Sequence, residues 1–182
     1  MVQLPYLNKD DLKPEDQDIL NRGINLHRLL AHSPGAARAF GSLGNFIRHG
    51  STINGRLREL AILQVGWLTK SPYEWSHHIK IGYEFGVTKI DVENLIQESD
   101  GKDTNLGKIE KTVLLGAREI TQNGKMGKTT FEELAGYFSN EHLVDLLVTI
   151  SFYNAVVRIL ASTEIDVEQS YLPYLKQFPL PE

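Results

Sequence analysis

Apolar residues recur at helical spacing along most of this 182-residue chain. From Glu15 to about Ala31, again after Ser33-Pro34, and again between Leu106 and Thr121, they fall three or four positions apart, as on one helix face. No segment shows the sustained alternation and hairpin turns of a β-sheet. The pattern therefore predicts an all-α fold, a single domain formed by a bundle of about seven to eight helices.

The domain boundaries follow from where the helical pattern begins and ends. We expect the core to extend from about residue 15 to about residue 165, beginning with one continuous helix from Glu15 to about Ala31. Residues 1–14 contain prolines and many polar side chains, which predicts an extended arm. Residues 166–182 are rich in proline and aromatic side chains, which predicts irregular backbone packed on a core or on another subunit.

The most informative stretch is a predicted helical hairpin. The run from Leu57 to Leu68 is apolar on most faces, so it predicts a buried helix, and it carries the acid Glu59. Ser71-Pro72 predicts the start of a second helix, which ends near Gly86 in a left-handed C-cap. A short connection makes the two helices antiparallel neighbours.

The second helix of the hairpin carries two adjacent histidines with different expected environments. Glu74 and His78 are four residues apart, so they share a helix face, and Ile81 on that face points it inward. His77 lies on another face and is expected to flank a pocket or face water. Its polar neighbours on that stripe, which suggest a solvated surface, are Tyr73, Lys80 and Glu84.

Folding the hairpin brings Glu59 within about one helical turn of His78. A glutamate inside an apolar helix needs a partner, because an unpaired buried carboxylate is costly. We expect Glu59 to orient His78, the principal acid/base, and Glu74 to act as a second acid/base. This cluster suits proton transfer next to a carbonyl, or decarboxylation through an enolate. A purely structural Glu–His link is the alternative interpretation.

Further polar residues extend the candidate site. Tyr73, Trp75 and His77 are predicted to shape its mouth. Arg58, or Arg158 with its neighbour Asn154 in the last long helix, is predicted to hold a substrate carboxylate, although pairing with a core acid is an alternative for Arg158. The remaining histidines at 27, 32 and 142 are expected on the surface or at helix ends.

A metal ion is a weaker alternative for the same residues. Glu74 and His78, with His77 or His49, supply ligand types that metals use. The HExxH spacing is missing, however, and adjacent histidines on a helix diverge by about 100°. We therefore expect no metal and no cofactor.

Composition excludes several classes of function. The net charge of −4 offers no basic field for nucleic acid or for anionic lipid. The chain shows no signal peptide and no apolar run judged long enough for a membrane span, which predicts a cytoplasmic protein. Cysteine is absent, and this excludes disulfides, thiol catalysis and thiolate metal sites.

The hairpin also carries a family resemblance. The segments RELAIL and YEWSHH, followed by Gly86-Val87, resemble the carboxymuconolactone decarboxylase family, also called the alkylhydroperoxidase D-like superfamily. The resemblance is sharp only from Arg56 to Ile90. It implies an all-helical fold that assembles into homo-oligomers, trimers or hexamers.

The resemblance also implies roles for individual residues. In the peroxidase branch, a CxxC pair precedes the histidine. Those cysteines fall on Ser71 and Glu74 here, so the peroxidase is not expected. The relay glutamate falls on Glu59 and the histidine on His78, and Glu74 matches the glutamate of the decarboxylase branch.

The chain is thus expected to be a decarboxylase-like lyase or proton-transfer enzyme acting on a small organic acid or lactone, with no nucleic-acid or membrane partner. The alternatives are a non-catalytic oligomeric member and a metal-dependent hydrolase or oxidoreductase.

Overall fold

The computed structural model describes residues 2–181, in which only helices, turns and loops are present. The all-α prediction is confirmed. The α-helices are α1 (Asn25–Leu30), α2 (Pro34–Asn45), α3 (Gly55–Leu68), α4 (Pro72–Glu84), α5 (Lys89–Ser99), α6 (Lys108–Asn123), α7 (Lys128–Ala135), α8 (Asn140–Ser162) and α9 (Leu172–Gln177). Two 3₁₀ segments, Lys9–Asp11 and Pro14–Leu20, precede them, and a π-helical segment, Phe46–Gly50, follows α2.

Helix α3 is the central element of the core. Every residue from Leu57 to Trp67 is buried, as its apolar run predicts. Ala61, Ile62 and Val65 pack into an apolar cluster with α6, α7 and α8. Leu60 and Leu63 pack into a second cluster with α4, α5 and the C-terminal segment. A helix between two apolar layers needs no polar face, so the acid that it carries must find its partners inside the protein.

The turn between α3 and α4 is built by local residues. Ser71 caps α4 by accepting from the Glu74 backbone N–H, and Pro72 occupies the first helical position, as predicted. Gly66 lets the helices approach closely, since a Cβ there would lie 3.3 Å from the Trp75 backbone nitrogen. Gly86 ends the helix region with a φ of +89°, the left-handed conformation expected there.

The N-terminal part of the core departs from the prediction. The expected continuous helix from Glu15 to Ala31 is wrong, because Gly23 adopts a φ of +64° and separates a 3₁₀ segment from α1. The arm also packs on its own chain, where the Gln3 N–H donates to the Thr163 carbonyl and the Leu7 N–H to the Arg28 carbonyl. Apolar periodicity alone does not reveal such a break.

The C-terminal tail is not wholly irregular. It contains α9, which packs on α4, and the Trp75 indole donates to the Phe178 carbonyl over 2.9 Å. The tail therefore covers part of the hairpin. This cover changes the environment of residues that the sequence places at the surface.

Helix α8 corrects the expectation that no apolar run is long enough for a membrane span. Its 23 residues have the length and composition of a span, and 56% of its most apolar window is buried inside the protein. It packs against α3, α6 and α7, as a core helix does. A cytoplasmic location stays a prediction.

Candidate functional site

The hairpin places one carboxylate at each nitrogen of a single buried imidazole. His78 Nδ1 lies 2.6 Å from Glu59 Oε2, and His78 Nε2 lies 3.0 Å from Glu74 Oε1. All three side chains are at most 4% exposed. We call Glu59, His78 and Glu74 the acid–base cluster. The proximity predicted from the hairpin geometry is present.

Arg58 completes the inner end of the cluster. Its Nε and Nη2 atoms donate to Glu59 Oε1 over 3.0 and 2.9 Å, and its guanidinium lies over the Phe85 ring. Glu59 therefore lies between a guanidinium and an imidazole. Arg58 is thus an ion-pair partner of Glu59, and the structure does not bring it to the cavity described below.

The charges of the cluster follow from these contacts. Burial opposes the charge of Glu59, but the charges and hydrogen bonds of His78 and Arg58 outweigh it and hold the pKa of Glu59 below its ordinary value. Burial likewise lowers the pKa of His78, but Glu74 and Glu59 outweigh it and raise that pKa to about 9. At neutral pH His78 is therefore an imidazolium that holds a proton on each ring nitrogen.

His77 is not the solvated residue that its stripe suggests. Its ring is stacked between Tyr73, at 4.0 Å, and Tyr171, at 3.6 Å, and its Nε2 lies 2.7 Å from Glu168 Oε2. The chain after α8 covers this face of α4. Burial lowers the pKa of His77, and Glu168 opposes that shift.

Glu168 was missed by the sequence analysis. Besides His77, it accepts from the Asn25 backbone N–H over 2.7 Å and from the Tyr73 hydroxyl over 3.0 Å. Burial opposes its charge, but the His77 and Asn25 hydrogen bonds outweigh burial and lower the pKa of Glu168 to about 2. Glu168 thereby ties the start of α1 to α4. It follows the core in sequence, and no local motif marks it.

A cavity of about 330 Å³ lies against the outer end of the acid–base cluster. Glu74 and His78 line it, as do Tyr73 and His77 from the predicted set. Glu59 does not line it and reaches it only through His78. The other lining residues are Arg22, Ile24, Leu26, His27, Phe40, Gly41, Gly44, Asn45, Arg48, His49, Ile81, Phe152, Tyr153 and Val156.

Three predicted binding residues lie away from this cavity. Trp75 is fully buried in the second apolar cluster, because it faces α3 and the C-terminal segment. Asn154 donates to the Thr121 hydroxyl and to the Ile150 carbonyl. Arg158 is exposed and donates to Asn154, so it pairs neither with a core acid nor with this site.

Two arginines that the sequence analysis did not select line the cavity instead. They are Arg22, in the turn before α1, and Arg48, in the π-helical segment. Within residues 2–181 neither has a carboxylate partner, whereas Arg38, Arg56 and Arg58 each have at least one. Their only sequence signal is a nearby glycine, Gly23 directly after Arg22 and Gly50 two residues after Arg48, which surface arginines share.

Three buried side-chain nitrogen or oxygen atoms in the described part of the chain have no hydrogen-bond partner. They are His27 Nδ1, Arg48 Nε and Glu74 Oε1, the last of which contacts His78 Nε2 at 3.0 Å as an ion pair without the geometry of a hydrogen bond. All three belong to residues that line the cavity. Buried polar atoms are nearly always bonded, so their concentration here indicates a site for a polar molecule. His27 lies in the last turn of α1, the helix-end position expected for it, and it also lines the cavity.

The metal alternative finds no ligand set in residues 2–181. No group of three or more histidine, aspartate or glutamate side chains there has the arrangement of a metal site.

Comparison with known proteins gives a family match over part of the chain and a shared fold over nearly all of it. The carboxymuconolactone decarboxylase family profile matches residues 34–99, which include the acid–base cluster. No protein of curated function matches the chain by sequence.

Solved structures share the fold over nearly the whole chain. A peroxidase-related protein with an alkylhydroperoxidase AhpD core from Ralstonia eutropha JMP134 is 16% identical, with a TM-score of 0.78 and coverage of 96% of this chain and 95% of that one. A peroxidase-related protein from Silicibacter sp. TM1040 is 18% identical, with a TM-score of 0.78 and coverage of 93% of each chain. A cysteine-to-alanine variant of the debrominase Bmp8 in complex with 2,3,4-tribromopyrrole is 19% identical, with a TM-score of 0.80 and coverage of 97% and 99%.

Proposed function

We propose that this chain is a cofactor-free lyase or proton-transfer enzyme that acts on a small organic acid or lactone. The match of residues 34–99 to the carboxymuconolactone decarboxylase family and the AhpD-like fold support this proposal. The observation that carries the proposal is the acid–base cluster itself. His78 has one carboxylate at each ring nitrogen, and its outer side faces a cavity. A buried Glu–His link with a purely structural role needs no such cavity.

The roles within the cluster follow from position. Glu59 holds the Nδ1 proton of His78 in place and stabilises the imidazolium. Glu74 is the group at the cavity that accepts a proton from a carbon next to a carbonyl. The Nε2–H of His78 is the acid that returns a proton to carbon.

For a β-keto acid the proposed reaction is a decarboxylation. The bond between the carboxylate carbon and the α-carbon breaks, CO₂ leaves, and the electron pair forms an enolate. His78 then transfers its Nε2 proton to the α-carbon and becomes neutral, while its Nδ1 proton stays on the bond to Glu59. The neutral imidazole regains a proton through the cavity before the next turnover.

The two arginines without carboxylate partners suit an acidic substrate. Arg22 and Arg48 line the same cavity as Glu74 and His78. A guanidinium binds a carboxylate through paired N–H donors. We assign to Arg22 and Arg48 the carboxylate binding that the sequence suggested for Arg58 or Arg158.

The chain is not proposed to share thiol chemistry with peroxidase-related neighbours. Such chemistry needs a thiolate, and this sequence has no cysteine. Ser71 caps α4, and Glu74 is part of the acid–base cluster. The two positions that would hold thiols therefore have other functions here.

A panel assay tests the proposal. The intact protein is incubated in D₂O with β-keto acids and lactone carboxylates, and NMR follows CO₂ release and deuterium incorporation at carbon. We expect His78→Asn and Glu74→Gln to lose at least 100-fold in rate, the lower range of acid–base contributions being about 10²-fold. Glu84→Gln, an exposed acid on the same helix, is the matched control and should retain full activity. Undiminished turnover in His78→Asn contradicts the proposal.

A further inference from the structure

The proposed reaction places negative charge on an oxygen atom that none of the residues assigned so far binds. When CO₂ leaves, the electron pair of the broken bond moves onto the carbonyl oxygen of the substrate and forms the enolate. Glu74 and His78 take and return protons at carbon, and Arg22 and Arg48 are assigned to a carboxylate. Hydrogen-bond donors aimed at the charge that develops in the transition state are commonly a large part of enzymatic rate enhancement. A donor for this oxygen should therefore line the same cavity.

Tyr153 in α8 has the position that such a donor needs. It lines the cavity together with Glu74 and His78. Its ring packs edge-to-face on the His78 imidazole, with 4.8 Å between the ring centroids and 79° between the ring planes. A substrate that reaches His78 from the cavity therefore lies beside Tyr153.

The Tyr153 hydroxyl is accessible and has no acceptor for its proton in the protein. It makes no hydrogen bond of ordinary geometry within residues 2–181, yet it is not one of the three buried atoms that lack a partner. An atom that is neither bonded nor sealed is accessible, and the space that Tyr153 lines is the cavity. The guanidinium of Arg48, which lines the same cavity, only donates hydrogen bonds, so it cannot accept the hydroxyl proton.

The hydroxyl also stays protonated. Burial, with the charges of Glu74 and Glu59, raises the pKa of Tyr153, and the opposing effect of Arg48 does not cancel this shift. At neutral pH the side chain is therefore a neutral phenol, which can donate a hydrogen bond to an oxygen in the cavity.

We propose that Tyr153 is a further catalytic residue, whose hydroxyl donates a hydrogen bond to the carbonyl oxygen of the substrate and stabilises the enolate. The proton stays on Tyr153 throughout, and the hydrogen bond strengthens as the accepting oxygen becomes negative. The inference rests on the proposed function, because it takes this cavity as the substrate site and an enolate as the intermediate.

A coloured oxyanion tests the donor without turnover. The probe 5-hydroxy-2-nitrobenzoate carries a carboxylate and a nitrophenol that ionises near neutral pH, and only its phenolate absorbs strongly in the visible. Absorbance in the presence of saturating intact protein, recorded from pH 5 to pH 8, gives the pKa of the bound probe. Its analogue 5-fluoro-2-nitrobenzoate has no ionisable hydroxyl, so isothermal titration calorimetry with it measures binding alone.

We expect the pKa of the probe to be at least one unit lower when it is bound to the wild-type protein than when it is free. Tyr153→Phe keeps the ring against His78 and removes only the hydroxyl. In this variant the ratio of phenolate to phenol in the bound probe should fall about 10-fold or more, as expected for loss of a hydrogen bond to a charged group. The Kd of the fluoro analogue should change less than twofold. Tyr137→Phe, which alters a tyrosine that is 48% exposed, is the matched control and should leave the ratio unchanged.

The stability of Tyr153→Phe separates a catalytic role from a structural one. Because the hydroxyl has no partner in the protein, this variant should unfold at the same urea concentration as the wild type. With any substrate found in the panel assay, kcat should fall about 100-fold, the lower range for loss of one oxyanion donor, while KM changes less than threefold.

Two results overturn the inference. One is equal ionisation of the bound probe in the wild type and in Tyr153→Phe, including the case in which the probe does not bind. The other is a lower urea midpoint in Tyr153→Phe, which would assign the hydroxyl to the fold. Full turnover in His78→Asn together with a Tyr153-dependent ionisation rejects the proposed function and leaves Tyr153 as an oxyanion donor of the cavity. Loss of turnover in His78→Asn together with equal ionisation rejects only this inference.

Discussion

Arg58 and Glu59 are adjacent in sequence, yet their side chains meet in a buried ion pair, with Nε and Nη2 of Arg58 at 3.0 and 2.9 Å from one Glu59 oxygen. Neighbouring residues on a helix diverge by about 100°, so the long arginine side chain must turn back toward the glutamate. Its remaining nitrogen donates to the Arg48 carbonyl. The pair thereby joins α3 to the π-helical segment that lines the cavity.

Replacing Arg58 should destabilise the protein strongly. Arg58→Met leaves Glu59 as a buried charge without its guanidinium, and removal of one partner of a buried pair costs about 3–5 kcal/mol of unfolding free energy. Urea denaturation measures the loss. Arg38→Met, which removes an exposed pair, is the control and should change stability little. Adding Glu59→Gln to Arg58→Met should recover part of the lost unfolding free energy. An Arg58→Met variant as stable as the wild type would contradict a stabilising Arg58–Glu59 ion pair.

The unfolding free energy should depend on pH through His78. Its folded pKa of about 9 lies above its ordinary value of 6.5, so its contribution is complete below pH 6.5 and is lost as the pH rises through 9. At 1.36 kcal/mol per unit, the loss is about 3 kcal/mol. Urea denaturation between pH 6 and pH 10 measures it. His78→Gln should show a flatter profile over this range, and equal slopes would argue against a raised pKa.

Glu168 should hold α1 against α4 in a pH-dependent way. Its pKa of about 2 lies below the ordinary 4.5, so its contribution is present above pH 4.5 and is lost as the pH falls toward 2. Glu168→Gln should melt at lower temperature than the wild type at pH 7, with the two converging in acid. Glu84→Gln, which removes an exposed acid of α4, is the control. A temperature difference that does not shrink in acid would contradict this role.

The close approach at Gly66 predicts a sensitive position in the hairpin. Gly66→Ala places a Cβ 3.3 Å from the Trp75 backbone nitrogen, which cannot move as a side-chain tip does. We expect a loss of about 1–3 kcal/mol, as for other overpacked cores, and reduced turnover, because the shift separates Glu59 from His78. Gly35→Ala, with no atom within 4 Å, should be neutral or stabilising. Chemical denaturation of both variants provides the comparison.

Assembly stays a prediction from the family resemblance. We expect light scattering to give three or six times the subunit mass of 20.5 kDa. Exposed apolar side chains such as Ile90, at 65%, and Val144, at 57%, are available for contacts between subunits. A monomer at micromolar concentration would contradict this expectation.

The sequence predicts those parts of the site that depend on local spacing. Glu74 and His78 share a face because they are four residues apart, and Glu59 reaches His78 because a short turn makes α3 and α4 neighbours. Ser71 as N-cap and Gly86 in the left-handed conformation follow from residue type in the same way. These relationships involve residues close together along the chain.

The parts that were not predicted depend on distant segments. His77 is buried because Glu168 and Tyr171, more than 90 residues later, pack over it. Trp75 faces the core because the C-terminal segment covers it. Arg22 and Arg48 cannot be told from surface arginines by pattern, since only tertiary packing brings them to the cavity.

The buried guanidinium of Arg58 has a further consequence for the proposed chemistry. Arginine side chains do not relay protons, so the series Arg58, Glu59, His78 and Glu74 has no outlet at its inner end. Every proton must enter and leave by the cavity, which the substrate itself fills during turnover. A proton-transfer chain that is open only at the cavity favours reactions that return a proton to the substrate molecule from which it was taken. We therefore expect a hydrogen-isotope label in the substrate to be retained in part in the product.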